Sequence, residues 1–436
     1  MKKIYVTDLL RNENYTEVEI YGWVQNQRSH KNIIFLDICD STGSIQAFVE
    51  KSFSTELFDF AKSLKVESAV CAKGLIIKDN NKVSLSLKSV ELIGCVLNKL
   101  SPQPRSNFDV FNEAITSHVL DYRHIYLRNP KIMAVLKFRD ILMHHMRQWF
   151  YENRFTSVDA PILTPVPLYE DGSALKINIH GENVFLTQCV GYYLEAAVHA
   201  FERVYNMGPS FRGEESRSKR HLMEYWHIKA EMAWGNLEDI ISMVENIIKY
   251  LTQKCFPDSH EIMQTLGKKM CLDGLKTPFP RITYDCAIKV LQTKGFAIEY
   301  GKSLGSAEEA ELSNDFNGPF WITGIPRTIE PFPYVIDKKN PKITRVADLI
   351  ASNGYGELLG VAEKIHTLDM LDERLHDKGK FGDPRFDFVR EVHQIGCVPH
   401  VAFGMGVERL IRWLIDIPHV RDAIAFPRIF KRKISP

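Results

Sequence analysis

Residues 400–414 read HVAFGMGVERLIRWL. Of all segments in the chain, this one indicates the fold most clearly. Its glycine-rich first half predicts a strand, and the residues after the glycines predict an amphipathic helix. Gly404 and Gly406 allow the backbone to approach a flat or charged ligand closely. Arg409, where the helix opens, is placed to meet a phosphate. A tight packing turn between a strand and a helix explains the same glycines, and both interpretations stay open.

A second charged segment lies upstream, where residues 211–215 read FRGEE and are followed by Arg220 and His221. The planar fork of an arginine suits phosphate and carboxylate oxygens, and lysine does not replace it there. Arg212 and Arg220 flank a loop, and Glu214 stands beside the first of them. The pattern indicates an anion-binding loop, although a surface hairpin with solvated charges has the same composition.

Two carboxylates, Asp348 and Glu357, flank the glycine-containing turn 353–356. Mg²⁺ prefers carboxylate oxygens, keeps several waters and bridges phosphates. The pair therefore indicates a magnesium site next to a phosphate. An ordinary polar hairpin is the alternative.

The N-terminal part of the chain differs in character from the rest. Residues 1–97 contain five short stretches of β-branched, aromatic and alternating residues, with one helix-like stretch between the third and the fourth. This order predicts a small OB-fold barrel. Residues 98–125 begin with a proline-containing, aperiodic stretch and are interpreted as a linker. Residues 126–436 mix helices and strands without the regular alternation of a Rossmann sheet, and they are interpreted as the catalytic domain.

The composition excludes several classes of protein. With 45% hydrophobic residues and a net charge of +1, the chain is expected to fold and gives no support to a strongly basic nucleic-acid binder. The eight cysteines form no CxxC pair, so we expect neither a zinc site nor disulfides. The N-terminus does not read as a signal peptide, and no apolar stretch approaches transmembrane length. We therefore expect a cytoplasmic protein with no membrane partner.

Taken in order, three segments resemble the signature motifs of the class II aminoacyl-tRNA synthetases. Residues 154–161 are similar to motif 1, residues 211–225 to motif 2 and residues 404–410 to motif 3. Further strings resemble the asparaginyl and aspartyl branch of that family: Gly22-Trp23-Val24 with Arg28 and Phe35, the RHLxE string at 220–224, GYGELLG at 354–360 and RDAIAFPR at 421–428. The resemblance covers almost the whole chain.

The resemblance implies an α+β fold with two domains. An N-terminal OB-fold β-barrel would bind the anticodon of tRNA. The C-terminal domain would contain an antiparallel sheet flanked by helices. The family also implies ATP and Mg²⁺ as cofactors, an amino-acid-like carboxylate as substrate, and a homodimer formed through motif 1.

The family mechanism assigns the catalytic roles to Arg212, Glu214 and Arg409. The adenine of a bent ATP would stack between Tyr225 and Arg409. Arg212 would hold the α-phosphate while the substrate carboxylate attacks it, with Glu214 and Gly406 in the same ATP site. Such catalysis works by positioning and by neutralising charge, without a covalent enzyme intermediate.

The outer phosphates and the metal have their own residues in this scheme. Arg220 or His221 would steady the outer phosphates, and Glu357 with Asp348 would hold Mg²⁺. The products of the first step would be an acyl-adenylate and pyrophosphate. The acyl group would then pass to the terminal ribose of tRNA.

In the barrel, the resemblance implies nucleic-acid contacts by Arg28, Phe35 and Gln46. Phe35 occupies the place where an aromatic ring stacks on an anticodon base, and Gln46 can hydrogen-bond a base edge. A buried role for Phe35 in the barrel core is the alternative. Ser84 stands where relatives tend to have a glutamate, so base readout is expected to differ.

The acid pocket departs from the family pattern. Gly191 replaces a substrate-contacting glutamine. Lys229 replaces an acid that engages the substrate's α-amine, which reverses the sign of the charge. Lys364 replaces an arginine and loses its fork. The residues at the family's substrate-binding positions are Glu170, Gln188, Gly191, Glu195, Lys229 and Lys364.

Three functions follow from these residues. The first is a tRNA ligase of the asparaginyl type, with compensating changes in its pocket or a local shift in alignment. The second is a paralogue that adenylates a different acid for biosynthesis and uses another acceptor. The third, a non-catalytic regulatory or RNA-binding paralogue, is disfavoured because Arg212, Glu214, Glu357 and Arg409 are all retained.

Overall fold

The computed structural model describes residues 4–11, 15–79, 82–167, 171–216, 218–272 and 275–434. The chain divides into two compact units. The first comprises residues 1–112 and 125–130, and the second comprises residues 113–124 and 131–436. Of the sequence-predicted linker, residues 98–112 therefore fall in the first unit and residues 113–124 in the second.

The first unit contains a closed five-stranded barrel. Its elements are α1 (Val6–Arg11), β1 (Glu17–His30), β2 (Ile33–Cys39), β3 (Ser44–Glu50), α2 (Thr55–Ser63), β4 (Ala69–Asp79) and β5 (Lys82–Gly94). The strands are hydrogen-bonded in the order β1-β2-β3-β5-β4, and β4 pairs back with β1. All pairings are antiparallel except that of β3 with β5. The predicted OB-fold barrel is confirmed.

Alternation along the strands builds the barrel core. In β2, the side chains of Ile34, Leu36 and Ile38 are fully buried, and the residues between them face outward. This is the two-residue period expected for a strand with one face on a core. Helix α2 begins after Ser54, whose hydroxyl accepts a hydrogen bond from the backbone N–H of Leu57.

The remaining helices lie in the second unit or cross the division. They are α3 (Thr116–Asp121), α4 (Arg123–Tyr126), α5 (Pro130–Glu152), α6 (Gly191–Phe201), α7 (Leu237–Asp258), α8 (His260–Leu266), α9 (Tyr284–Thr293), α10 (Ser306–Ser313), α11 (Leu368–Asp377), α12 (Asp387–Gln394) and α13 (Val407–Leu414). No helix in the described ranges is both long enough and apolar enough to cross a membrane.

The strands of the second unit form two sheets. They are β6 (Thr156–Ser157), β7 (Leu163–Thr164), β8 (Lys176–Ile179), β9 (Glu182–Leu186), β10 (Arg203–Phe211), β11 (Glu224–Ala233), β12 (Arg281–Thr283), β13 (Phe320–Thr323), β14 (Val346–Ala351), β15 (Gly356–Lys364) and β16 (His400–Gly406). Eight of them are ordered β12-β13-β14-β15-β16-β11-β10-β6, and β7-β9-β8 form a small separate sheet.

The large sheet is antiparallel through its centre and parallel at its two edges, where β12 pairs with β13 and β6 pairs with β10. Helices pack on it through buried apolar faces. Phe150 of α5 stacks on Tyr205 of β10, with ring centroids 4.1 Å apart. Helix α7 begins at Asn236, whose side chain accepts from the backbone N–H groups of Glu238 and Asp239. The predicted sheet flanked by helices is confirmed.

Candidate active site

A cavity of about 440 Å³ opens over the central strands β11, β14, β15 and β16. Guanidinium and carboxyl groups dominate its charged lining: Arg212, Arg220, Arg409, Glu309, Glu330, Asp348 and Glu357. The sequence-predicted ATP and metal residues that line it are Arg212, Arg220, His221, Tyr225, Asp348, Glu357, Gly406 and Arg409. Glu214 lies in a small adjoining recess with Arg212 and His221. The fold thus brings segments separated by almost 200 residues to one cavity.

The floor of the cavity follows from strand geometry. Tyr225, His227 and Lys229 are alternate residues of β11 and all face the cavity. Across from them, β16 contributes Gly404, where an added Cβ would lie 2.8 Å from Nε2 of His227. At Gly360 of β15, an added Cβ would lie 3.0 Å from Oδ1 of Asp348. The glycines therefore leave room for neighbouring polar side chains on the floor.

Arg409 connects the helix α13 to the opposite wall. Its Nη1 donates to the backbone oxygen and to Oε2 of Glu357, both at 3.2 Å. Its Nε donates to the backbone oxygen of Arg220 at 3.4 Å. These contacts fix the guanidinium group of Arg409 in the cavity beside a carboxylate, before any ligand is considered.

Arg220 is held by an acid that the sequence analysis did not identify. Its guanidinium forms an ion pair with Glu309 of α10, and both side chains are largely buried. The same carboxylate accepts from the backbone N–H of Glu357 at 2.8 Å. An added Cβ at Gly356, whose φ is +80°, would collide with this pair. Nothing in the local sequence around Glu309 distinguishes it from a surface acid, so only the fold reveals its role.

The motif 2 loop places its first arginine near an aromatic ring. The guanidinium carbon of Arg212 lies 6.0 Å from the ring centroid of Tyr225, within reach of a cation–π interaction. Nη1 of Arg212 lies 3.4 Å from Glu214. The hydroxyl of Tyr225 donates to the backbone oxygen of Gln188 at 3.4 Å, which fixes the ring. Arg212 and Tyr225 thus share one side of the cavity.

The histidines of the cavity are uncharged at neutral pH. Burial, with the charges of Arg409, Arg220 and Arg212, lowers the pKa of His221 to about 4. Burial and the charge of Lys229 hold the pKa of His227 well below its ordinary value. His221 therefore contributes hydrogen bonds rather than a positive charge to an anion in the cavity.

The carboxyl groups of the cavity form a crowded acidic cluster. Burial and the neighbouring Glu357 and Glu330 raise the pKa of Asp348 well above its ordinary value. Burial and Glu357 raise the pKa of Glu330 to about 7. Burial also opposes ionisation of Glu357, but Arg409, Arg220 and Arg212 outweigh it and lower its pKa. Asp348 and Glu357 offer the carboxylate oxygens that a divalent cation such as Mg²⁺ prefers.

The barrel carries the sequence-predicted nucleic-acid residues on its outer surface. Phe35 of β2 pairs with Arg28 of β1 on one side and with Phe48 of β3 on the other. Gln46 lies two residues before Phe48 on the same face of β3. Phe35 is half-buried and lies outside the barrel core. Its ring centroid is 6.4 Å from that of Phe48. Arg28 is 55% exposed and pairs with Asp37 at 3.2 Å. Phe48 is a second aromatic that the sequence analysis did not single out.

Comparison with known proteins identifies the family. Residues 116–429 match the model of tRNA synthetases class II (D, K and N), and residues 18–93 match that of the OB-fold nucleic acid binding domain. The chain belongs to the class II tRNA synthetase family. The resemblance seen in the three sequence motifs is thereby confirmed.

Similar proteins cover the full length of this synthetase. An asparagine–tRNA ligase of Thermococcus gammatolerans is 32% identical over 428 residues, 98% of each chain. One of Desulforamulus reducens is 34% identical over 420 residues, 95% of this chain and 96% of the other. Among solved structures, the asparaginyl-tRNA synthetase of Pyrococcus horikoshii complexed with asparaginyl-adenylate superposes with a TM-score of 0.91 at 33% identity, covering 100% of both chains.

The acid-pocket positions of this class II synthetase separate into two groups. Lys229 lines the cavity, is 6% exposed and forms no ion pair with any residue in the described ranges. Glu195 and Lys364 lie outside the lining and pair with each other, with 2.9 Å between Nζ and Oε2 and 4% exposure of each side chain. This pair satisfies its own charges and leaves Lys229 as the cation that faces the ligand space.

The other predicted acid-pocket positions do not reach the cavity lining. Gln188 donates to the hydroxyl of Ser173 at 2.8 Å. Gly191 is the first residue of α6 and is buried. Glu170 lies outside the described residues. Among the described members of the predicted set, Lys229 is the one that lines the cavity.

Proposed function

We propose that this chain activates asparagine with ATP and transfers it to tRNA. The observation that carries the proposal is the meeting of Arg212, Arg409 and Glu357 in one cavity of a fold that superposes over its full length on a synthetase holding asparaginyl-adenylate. Relatives that match over almost all of their length are asparagine–tRNA ligases, which supports the same activity.

In the proposed first step, the nucleotide lies between Arg212 and Arg409. Arg212 holds the α-phosphate, and the substrate carboxylate attacks the phosphorus in line with the leaving pyrophosphate. Arg409 fixes the nucleotide from the opposite side, with the adenine between its guanidinium and the ring of Tyr225. Donors held in place before the reaction stabilise the charge that develops in the transition state. No side chain becomes covalently attached.

In the proposed second step, the terminal ribose hydroxyl of tRNA attacks the acyl carbon of the adenylate and releases AMP. The hydroxyl proton leaves with the departing phosphate or with water. No general base from the protein is required, because the phosphate that departs can accept this proton.

The acidic cluster is proposed to hold Mg²⁺ through Asp348 and Glu357. When bound, the ion neutralises the outer phosphates and makes pyrophosphate a better leaving group. Burial and the charges of Glu357 and Glu330 raise the pKa of Asp348, and a bound cation would favour its ionised form. Glu330 also interacts electrostatically with both carboxyl groups.

The barrel is proposed to bind the anticodon of tRNA. The outer-face set of Arg28, Phe35 and Gln46 offers a cation, a ring and an amide, the groups that bind unstacked bases and backbone phosphates. Phe48, on the neighbouring strand β3, adds a second aromatic ring to this surface.

A homodimer is also proposed, formed through the motif 1 segment. Tyr151, Ile162 and Leu163 around this segment are 83%, 42% and 46% exposed in the single chain. Large side chains this exposed near motif 1 are of the kind that a subunit interface covers. Light scattering of the purified chain, which gives its molecular mass in solution, tests the homodimer.

A cytoplasmic location is also proposed, because charging of tRNA serves translation.

Lys229 favours a second candidate, activation of an acid other than asparagine. On β11 the cavity-facing residues run from Tyr225, beside Arg212, to Lys229, so Lys229 lies at the end remote from Tyr225, where the acid would bind. Lys229 interacts with Cys189 and Glu231, and a buried cation at that place repels a substrate ammonium and attracts an acceptor or anionic group. An acid without an ammonium group at this position fits the charge better than asparagine does.

A panel of acids distinguishes the two candidates. Purified chain is incubated with ATP, Mg²⁺, labelled pyrophosphate and each acid in turn, and label entering ATP is measured. Exchange that depends on asparagine, together with attachment of labelled asparagine to tRNA, is expected from the first candidate. Exchange with a hydroxy, keto or dicarboxylic acid but not with asparagine would favour the second. Absence of exchange with every acid would contradict both.

A further inference from the structure

Three metal-ligating side chains meet where helix α6 approaches the start of strand β16. They are His199 of α6, Cys397 just before β16, and His400, the first residue of β16. Their ligand atoms all lie within 4.8 Å of one another. Nε2 of His199 is 3.1 Å from Sγ of Cys397, and the two imidazole rings are 5.4 Å apart. None of the three lines the ATP cavity.

Backbone carbonyls orient both imidazole rings toward this point. Nδ1 of His199 lies 2.6 Å from the backbone oxygen of Glu195, and Nδ1 of His400 lies 2.9 Å from that of Val398. A carbonyl oxygen only accepts, so each Nδ1 carries the proton and each Nε2 carries a lone pair. Metal-binding histidines are commonly fixed in this way.

The polar atoms here are not satisfied by the protein alone. His400 is 1% exposed, and its Nε2 has no hydrogen-bond partner in the described part of the chain. Glu231 of β11 is 0% exposed, and neither of its carboxylate oxygens has one there. Oε2 of Glu231 lies 3.7 Å from Nε2 of His400. Buried polar atoms left without partners are costly, so they point to a missing ligand.

The hydrogen-bond pattern is also unbalanced. The single lone pair of Nε2 in His199 faces two donors, the backbone N–H of Val398 at 3.1 Å and the thiol of Cys397. The lone pair of His400 faces none. A cation placed among the three side chains would be coordinated by Nε2 of His400 and by Sγ of Cys397. Nε2 of His199 would then bind the cation in place of the N–H of Val398.

Ligand type and spacing fit zinc. Zinc binds histidine nitrogen and cysteine sulfur in tetrahedral sites. Zinc–nitrogen and zinc–sulfur bonds place neighbouring ligand atoms of a tetrahedral site about 3.5 Å apart. The 3.1 Å between His199 and Cys397 therefore needs a shift of only a few tenths of an ångström.

We propose that His199, Cys397 and His400 bind one zinc ion that ties α6 to β16, with the carboxylate of Glu231 balancing its charge. On binding, the Cys397 thiol loses its proton to solvent as the zinc–sulfur bond forms. The ion would thereby fix the two elements that carry Gly191 and the motif 3 glycines. Its role is structural, because it lies outside the ATP cavity.

Cobalt(II) is the probe, because its spectrum reports both sulfur ligation and geometry. The full-length chain is freed of metal with a chelator and titrated with cobalt and then with zinc. We expect one cobalt per chain, with a thiolate charge-transfer band and the intense visible bands of tetrahedral cobalt. Zinc is expected to abolish both. A weak octahedral spectrum without the thiolate band would overturn the proposal.

Two variants and one control locate the site. Cys397→Ser should lose the thiolate band, and His199→Asn should lose tetrahedral binding while keeping the thiol. Cys286→Ser, at an exposed free cysteine, should match the wild type. Zinc should raise the melting temperature of the wild type and of Cys286→Ser but not of the other two. If Cys397→Ser fails to fold, the cobalt spectrum of His199→Asn tests the site by itself. A spectrum identical to that of the wild type would refute the proposed site.

Discussion

Replacing Arg409 by lysine separates the geometry of its guanidinium group from its charge. In the structure, Arg409 makes three hydrogen bonds, two from Nη1 to Glu357 and one from Nε to the backbone of Arg220. Lysine keeps the charge but has no Nε and no fixed fork, so it cannot reproduce this set. The ammonium group of the lysine would not be held in the place that the nucleotide requires.

The expected loss follows from the value of one preorganised donor in the transition state. Removal of such a donor costs about 3–4 kcal/mol, which corresponds to roughly a 100- to 1,000-fold decrease in kcat/KM. Acid-dependent exchange of labelled pyrophosphate into ATP measures it, with ATP varied at saturating acid. The unfolding free energy should change much less, by about 1 kcal/mol, because hydrogen bonds exposed to the cavity contribute little to stability.

Arg412→Lys is the matched control. Arg412 lies one turn further along α13 and donates to the backbone oxygens of Pro418 and Tyr355, outside the cavity lining. We expect its kcat/KM to stay close to the wild-type value. If Arg409→Lys also stayed within about threefold of the wild type, the role assigned to the guanidinium of Arg409 would be refuted.

Three further outcomes are expected. Arg139→Met should lower the unfolding free energy by about 3 kcal/mol in urea denaturation, since it leaves the buried Glu408 without its ion-pair partner. Burial and Arg421 lower the pKa of His419 from 6.5 to about 3, so below pH 6.5 the unfolded chain takes up a proton that the folded chain does not. As the pH falls from about 7.5 to about 5, this difference should lower the unfolding free energy by about 2 kcal/mol. The His419→Asn variant should not show this loss. Phe35→Ala should raise the KM for tRNA by roughly 10- to 100-fold in aminoacylation assays and leave pyrophosphate exchange unchanged, because a base stack is worth about 1–3 kcal/mol.

Each of these outcomes has a control in the same chain. Lys289→Met removes an exposed ion pair and should change stability by less than about 0.5 kcal/mol. His260→Asn, at an exposed histidine, should leave the pH dependence of stability as it is. Phe53→Ala, at a ring 65% exposed beyond the end of β3, should leave the KM for tRNA unchanged. Equal effects in a variant and its control would contradict the assigned role.

The sequence predicts most of the fold because local patterns suffice for it. The alternation of β2 sets Ile34 and Leu36 toward the barrel core and Phe35 away from it. The strand-to-helix unit at 400–414 appears as β16 and α13. The motif residues Arg212 and Arg409 meet in the cavity because the family fold brings their segments together, which no local pattern specifies.

What the sequence does not predict depends on distant pairings. Glu309 becomes a partner of Arg220 only because α10 packs beside β15. The sequence predicts Glu195 and Lys364 as substrate contacts. In the fold these two residues form an ion pair with each other and are not among the residues that line the cavity. Without a CxxC pair, the sequence indicates no zinc site. The proposed site would use His199, Cys397 and His400, which folding brings together.

The reaction itself tests the central claim most directly. Asparagine labelled with oxygen-18 in its α-carboxylate is supplied with ATP, Mg²⁺ and tRNA, and the released AMP is examined by mass spectrometry. If the carboxylate attacks the α-phosphate held by Arg212, AMP should carry one labelled oxygen, and pyrophosphate should carry none. Unlabelled AMP, or the formation of ADP in its place, would contradict the account.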